Sequence, residues 1–535
     1  MSETDSHRSI ARSASHFFTG TFISRLTGMV RDIFMAFYFG ATPAVAAFLV
    51  AFRLSNILRR LLGEGALLNG FIPFFERKRS ENRMLGAIFF RDLFWSLTLI
   101  LLSTILILEI ILYSITKLCS LSDGAFSIFF MTMIMLPGLL FICLFGLSAA
   151  LLECEKNFFI PGIAPVAFNI IWIIAIYLFK DYQPSQGMIR ISIFIVFAFF
   201  LQWCVTMKWV VLYLKKFISV GEWFTFRLFT KELREIAMPL LLGVIGIAAV
   251  QINSAVDIII SRLASLEGPA YLNYAGRLYQ LPLALFGIAI SSALMPPLSR
   301  AIKNEDNDRY KSLLSFAFDR VFSLLFPITI SIFIIGGVSV NLLYGRGEFN
   351  AISIVNTTCC LFGYAIGLVP SAFTLILATA FYAKNDFLTP TIASLLSVFL
   401  NIFLNLLMVF VFKFSVSSIA ISTAVTAIFN MYFLWKKIGE PIFGSSIYFF
   451  LKVVVASFVA GLFTFLAGRS LLDEPILDLL IGNFNVTPQK GLLVQGCHFA
   501  ILSILFTSTF LLLSYLMKID HILEFFGLKK SDDLV

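Results

Sequence analysis

Apolar runs of about twenty residues return along the whole chain, and each is long enough to cross a hydrocarbon core roughly 30 Å thick. Applying that length gives about fourteen expected spans, at 16–39, 43–62, 90–114, 126–151, 158–179, 188–213, 234–261, 270–297, 314–343, 352–382, 389–412, 415–435, 446–467 and 495–517. With 59% hydrophobic and 13% charged residues, the 535-residue chain lies far from the roughly 45–50% apolar and 25% charged balance of soluble domains. The expected class is an all-α polytopic membrane protein.

The polar tail 1–15 precedes an apolar segment too long and too charged for a cleavable signal, so that segment is expected to stay as the first span. Basic residues recur on one side of the expected topology: Arg77, Lys78, Arg79 and Arg83, then Lys215, Lys216, Arg227, Lys231 and Arg234, then Arg300, Lys303, Arg309 and Lys311, then Lys436 and Lys437. The tail adds Lys529 and Lys530, and the opposite loops carry only scattered lysines and arginines. The positive-inside tendency then places both termini in the cytoplasm and accounts for the net charge of +9 without nucleic acid. The seven cysteines have no C-x-x-C spacing and read as small buried hydrophobes. The four histidines have no ligand spacing and lie in tails or at helix ends without partners, which argues against a metal site and against a membrane transferase.

A weak internal echo divides the chain. "KNFFIPGIAPVAFNI" (156–170) and "KNDFLTPTIASLLSVFLNI" (384–402) both run from Lys-Asn through Phe and Pro to Asn-Ile. An even number of spans per half implies repeats of the same orientation. The expected organisation is an N-lobe over 16–216, a C-lobe over 217–437, two additional helices over 438–518 and a tail over 519–535, with a cavity between two pseudo-symmetric six-helix lobes.

The charges inside the spans are the functional signal. In "SRLTGMVRD" (24–32), Arg25, Gly28 and Asp32 fall within about 60° on a helical wheel, and Arg31 widens that face. A charge near the bilayer centre costs about 2.5 kcal/mol or more unless it meets a partner or water, so the face must look inward. In "FRLSNILRRLLGEGALLNGFIPFF" (52–75), Arg53 and Arg60 share a face, Arg60 can reach Glu64, and "GEGA" (63–66) interrupts the helix as in broken transporter helices. Arg277 precedes Pro282, a candidate kink, and Asp257 lies in "QINSAVDIII". Arginines outnumber acids in these stretches, and guanidinium binds phosphate through a planar fork, so an anionic, phosphorylated ligand is expected. Alternatives stand beside this: Arg59, Arg60 and Arg277 as snorkelling topology determinants, Arg25 and Arg31 paired structurally with Asp32, and Asp257 as a packing hydrogen bond or a cation or proton site.

The stretch 24–75, with "YAGRLYQLPLALFGIAISSALMPPLS" (274–299) and "FYAKNDFLTPT" (381–391) in the expected order, resembles the MviN/MurJ lipid II flippases of the multidrug/oligosaccharidyl-lipid/polysaccharide exporter superfamily. The resemblance implies alternating access without covalent chemistry. It implies transfer of an undecaprenyl pyrophosphate-linked disaccharide-pentapeptide from the inner to the outer leaflet of the bacterial inner membrane for peptidoglycan synthesis. It implies essential arginines at Arg25, Arg31, Arg59 and Arg277, with Gly28, Asp32, Arg53, Arg60 and Glu64 about the cavity, and a lipid-tail groove in the last two spans. Asp257 and Asp386 become candidates for coupling to Na+ or H+, with membrane potential as the other energy source and a helix cap as the other role for Asp386. The expected partners are the lipid-linked precursor and membrane lipids, for a monomer that associates, if at all, with cell-wall synthesis proteins. Alternatives within the superfamily are a flippase for another polyprenyl-linked glycan or a multidrug exporter. The chain departs from the family in two places: Ala46 and Gly276 stand where acids are common, which leaves Asp32 and Glu64 as the candidate counter-charges.

Overall fold

The computed structural model describes residues 7–59, 66–228, 230, 235, 251–439, 447–486 and 491–525. Arg60, Glu64, nearly all of the break expected at 63–66, the opening of span seven, Lys231, Arg234, Lys529 and Lys530 lie outside the described residues. No strand occurs among the described residues. Nine helices among them are long and apolar enough to cross a membrane, and two bent pairs bring the number to eleven. The expected spans not in that number are the charged first one, the short second one and the seventh. The chain is a multi-pass membrane protein made of two compact units, Met1–Ala255 and Val256–Val535.

In the first unit the principal helices are α1 (His7–Phe39), α2 (Pro43–Ser55), α3 (Ala66–Glu81), α4 (Arg83–Leu118), α5 (Asp123–Met135), α6 (Gly138–Cys154), α7 (Pro165–Phe179) and α8 (Pro184–Leu214). Helix α1 begins well inside the stretch expected as a polar tail. Helix α8 packs on α6 and α7, α1 on α7, and α2 on α5. Phe52, Phe168, Trp172 and Phe199 interlock at the centre, with Phe168 stacked on Phe199 at 4.6 Å between ring centres. Helix α2 ends at Ser55 because the Asn56 amide donates to the Phe52 carbonyl at 2.7 Å, so a side chain competes for the helix's own acceptor. The interruption in span two therefore begins before the glycines that were expected to cause it.

The second unit opens within the helical residues 251–264, from Val256 on, and continues with α9 (Gly268–Pro282), α10 (Ala289–Lys303), α11 (Asn307–Tyr344), α12 (Ala351–Ile366), α13 (Leu368–Ala383), α14 (Leu388–Leu406), α15 (Ser417–Ile438), α16 (Ile447–Leu471), α17 (Leu492–Leu516) and α18 (Asp520–Phe525). The kink expected at Pro282 is a π-turn over Leu283–Ile288, an irregularity that recurs at functional places in membrane helices. Helices α16 and α17 pack on each other and on α11. The loop between them contains a packed 3₁₀ turn, Pro475–Ile481, with Ile476, Leu477 and Leu479 buried.

His498 corrects the expectation that the histidines lack partners. Its Nδ1 lies 2.5 Å from Glu474 Oε2, and both residues are buried. Arg346 donates to Gln495 at 2.8 Å on the same helix, so polar contacts hold the start of α17 on two sides.

Each unit uses the same local devices about 229 residues apart. The pair α5/α6 bends by 45° and the pair α12/α13 by 41°. Each second helix then ends in a Schellman turn: Lys156 (φ 58°) with Asn157 N–H on the Leu152 carbonyl, and Asn385 (φ 59°) with Asp386 N–H on the Phe381 carbonyl. These turns open the two segments whose sequences echo one another.

Candidate functional site

The strongest polar centre of the first unit lies between α1 and α7. Arg31 donates from Nε and Nη2 to Asp32 Oδ1 at 3.0 and 2.7 Å, and from Nη1 to Asn169 Oδ1 at 3.0 Å. Its guanidinium carbon sits 4.2 Å from the centre of the Trp172 ring. Asn169 then donates to the Ser24 carbonyl at 3.1 Å and to Thr27 Oγ1 at 3.0 Å. Arg31 and Asp32 are 7% and 6% exposed, so the pair is buried and its charge is met by an aromatic face and an amide rather than water. Gly28 faces this network: a methyl there would meet the Asn169 amide at 3.6 Å, an ordinary contact, so the site does not require glycine for space.

The wheel reading grouped Arg25 with Asp32 and placed Arg31 at the flank; the structure reverses that order. Arg31 is the centre of the network, and Arg25 is exposed on α1. The i+1 neighbours meet because the long guanidinium folds back along the helix, a reach that wheel angles leave out. Arg53, half-buried on α2, donates to Ser254, and Arg59 is half-buried at the end of the one-turn helix Ile57–Arg59. Ala46, at the position where the resemblance leads one to expect an acid, is fully buried as a packed methyl group. Asp32 provides a counter-charge for Arg31 directly.

In the second unit Arg277 is exposed on α9, between one and two turns before the π-turn that starts at Leu283. A side chain at Gly276 would meet only the Gln280 amide, at 3.9 Å. Asp257 accepts a 2.6 Å hydrogen bond from the Asn405 amide, and Asn401, one turn earlier on α14, is fully buried with neither amide atom bonded to protein. Asp386 lies at the opposite end of α14, roughly 28 Å along the axis from Asn405 at 1.5 Å per residue. There its carboxylate accepts from the Thr389 N–H at 3.0 Å and the Thr389 hydroxyl at 2.6 Å, and these bonds hold it below the usual carboxylate range. The structure therefore gives Asp386 a capping role and does not bring it to Asp257. Among the described residues there is no group of three or more His, Cys, Asp or Glu side chains able to hold a metal.

Sequence reasoning left out Asn169, Trp172, Asn401 and Asn405. One signal was available: Asn169 and Asn401 are the asparagines of the two "NI" endings in the internal echo, and each lies in the buried polar centre of its own unit.

Residues 35–474 match the family model described as lipid II flippase MurJ. The chain belongs to the MurJ family. A relative named probable lipid II flippase MurJ from Chlamydia pneumoniae is 33% identical over 438 residues, covering 81% of this chain and 78% of its own length. The lipid II flippase MurJ of Burkholderia cenocepacia is 28% identical over 385 residues, covering 69% and 72%. Among solved structures, a lipid II flippase MurJ in an inward closed conformation superposes with a TM-score of 0.76 at 22% identity, over 95% of this chain and 99% of its own. An inward-facing multidrug transporter of the MOP superfamily gives 0.65 at 14% identity, over 78% and 94%. At these identities the structural matches establish the MurJ-like fold, and the family rests on the sequence matches.

Proposed function

We propose that this protein flips the lipid-linked peptidoglycan precursor lipid II from the inner to the outer leaflet of the bacterial inner membrane, by alternating access and without covalent chemistry. Both termini lie in the cytoplasm and the working unit is a monomer. The pyrophosphate is held by Arg25, Arg31, Arg59 and Arg277, and the tail follows the two C-terminal helices. The observation that carries this reading is the Arg31 centre: a guanidinium kept charged inside a membrane protein by one acid, one amide and one ring. Asp32 occupies the fork that a phosphate oxygen would take, so an arriving pyrophosphate exchanges one anion for another without exposing a bare cation to low dielectric. Arg25 and Arg277 are both exposed, and we assign the first contact with the substrate to them. Asp257, with Asn401 and Asn405, offers hard oxygen donors in the second unit, and we assign a monovalent coupling cation, Na+ or H+, to that place.

The test is complementation of a flippase-deficient bacterium with lipid II counted at the outer leaflet. Restored outward exposure supports the reading; normal expression and insertion with no outward lipid II overturns it.

A further inference from the structure

The segment joining α8 to the next span is held by a second buried charge pair that the proposed transport chemistry does not use. Arg91 and Asp92 of α4 are 6% and 5% exposed. Arg91 donates from Nε to Asp92 Oδ1 at 2.9 Å and from Nη1 to the Glu222 carbonyl at 2.9 Å. Asp92 Oδ1 also accepts from the Arg227 N–H at 3.2 Å, and Trp95 Nε1 donates to the Trp223 carbonyl at 2.9 Å. Trp95 stacks on Phe226 at 5.1 Å, so residues 222–227 are fastened to α4 by backbone contacts and rings together.

The fastened segment forms one wall of a groove of about 200 Å³ whose other wall is the last two turns of α8. Met207, Val211, Leu214, Ile218, Trp223 and Phe224 line it, with Lys215 at its edge. The one-turn helix Val220–Trp223 leaves Val220 and Phe224 68% and 63% exposed, four residues apart on one face. Trp209 and Leu212 on α8 are exposed as well, so the groove continues a lipid-facing surface. Lys208, Lys215, Lys216 and Arg227 are exposed around it. Glu222 is the single acid between 207 and 228, and it is committed internally: its carboxylate accepts from the Ser219 N–H at 2.7 Å in a capping box.

We propose that this groove is a binding site for an anionic glycerophospholipid, with one acyl chain between α8 and the fastened segment and the headgroup phosphate at Lys215 and Lys216. The apolar walls and their continuity with a membrane-crossing helix select an acyl chain. The surplus of cations over one occupied acid selects a negative headgroup over a zwitterionic one. The Arg91–Asp92 pair is a positioning element, because it supplies two of the four contacts described that hold the second wall, Trp95 supplying the others.

The test uses the purified full chain in detergent, titrated with phosphatidylglycerol or phosphatidylcholine, with retained lipid counted by native mass spectrometry. Expected are one phosphatidylglycerol held in preference to phosphatidylcholine, a loss of about fivefold for each of Lys215→Gln and Lys216→Gln, and loss of the bound lipid in Val211→Trp, which fills the groove. Asp92→Asn weakens retention of both lipids by loosening the wall. Met207→Trp fills the groove from a different turn of α8 and carries the test if Val211→Trp fails to fold. Equal retention of the two lipids, undiminished binding in both groove-filling variants, or co-purification of a protein seated there in place of lipid overturns the proposal.

Discussion

Arg31–Asp32 and Arg91–Asp92 are the same dipeptide folded the same way. In each, the arginine wraps back to give Nε and Nη2 to one oxygen of the next residue and keeps Nη1 for a distant partner, and all four residues are at most 7% exposed. They differ in what Nη1 finds. For Arg31 it is a side-chain amide beside an indole ring, groups that rotamer changes can withdraw. For Arg91 it is a backbone carbonyl of a segment fastened at three further points, which has nowhere to go. The internal pair neutralises charge in both places; the third contact sets an arginine held by side chains, to which the proposed exchange of Asp32 for a phosphate is assigned, apart from one that rivets a backbone segment.

Double replacement is the sharpest way to break that comparison, since apolar side chains of similar volume often substitute for a buried ion pair at little cost. Arg31→Met with Asp32→Leu is expected to abolish lipid II transport while the thermal midpoint stays near the parent's, and Arg91→Met with Asp92→Leu to keep transport. Transport surviving the first pair, measured as outer-leaflet lipid II, removes Arg31 from the substrate path. Next in size, Arg91→Met alone strands the Asp92 carboxylate and should cost about 3–5 kcal/mol of stability, read as earlier unfolding on a thermal or denaturant ramp. Asn169→Ala removes the acceptor for Arg31 Nη1 and two donor bonds to α1, for a loss of about 1–3 kcal/mol, and should lower turnover more than expression. Trp172→Phe keeps a ring in the cluster with Phe48, Phe52 and Phe168 but weakens the face under the guanidinium, for a loss of about 1–2 kcal/mol, detectable as a downward shift in unfolding temperature.

The smallest effect comes from acid. Asp386 is held below its ordinary range by Thr389, so its contribution is present above the unfolded-state carboxylate pKa and is lost as pH falls through the lower folded value. Protection of the amides at the start of α14, taken as exchange relative to the intrinsic rate at each pH, should fall on acidification, and Asp386→Asn should remove that dependence.

Much of this was legible in the chain. Twenty-residue apolar runs dictated membrane helices, because the hydrocarbon core satisfies no backbone group. The cost of burying charge singled out "SRLTGMVRD", and the echo of 156–170 in 384–402 marked turns that the structure builds alike. Illegible were the events that need a second helix: that Asn169 reaches Ser24, Thr27 and Arg31, that Asn405 meets Asp257, and that His498 has an acid beside it. A one-dimensional period reports which face a residue occupies and is blind to what stands opposite.

Arg91 and Asp92 show the same boundary. They fall at the start of the expected span 90–114 and are not among the residues the sequence singles out, whereas α4 begins at Arg83 and carries both inside the packed unit. The sequence by itself determined an all-helical membrane chain of the MurJ family with arginines inside its expected spans, since composition and spacing set solvation. Only tertiary structure decided which arginine is the centre and which is the rivet, because that depends on contacts made across 131–138 residues of chain by groups with no local signature.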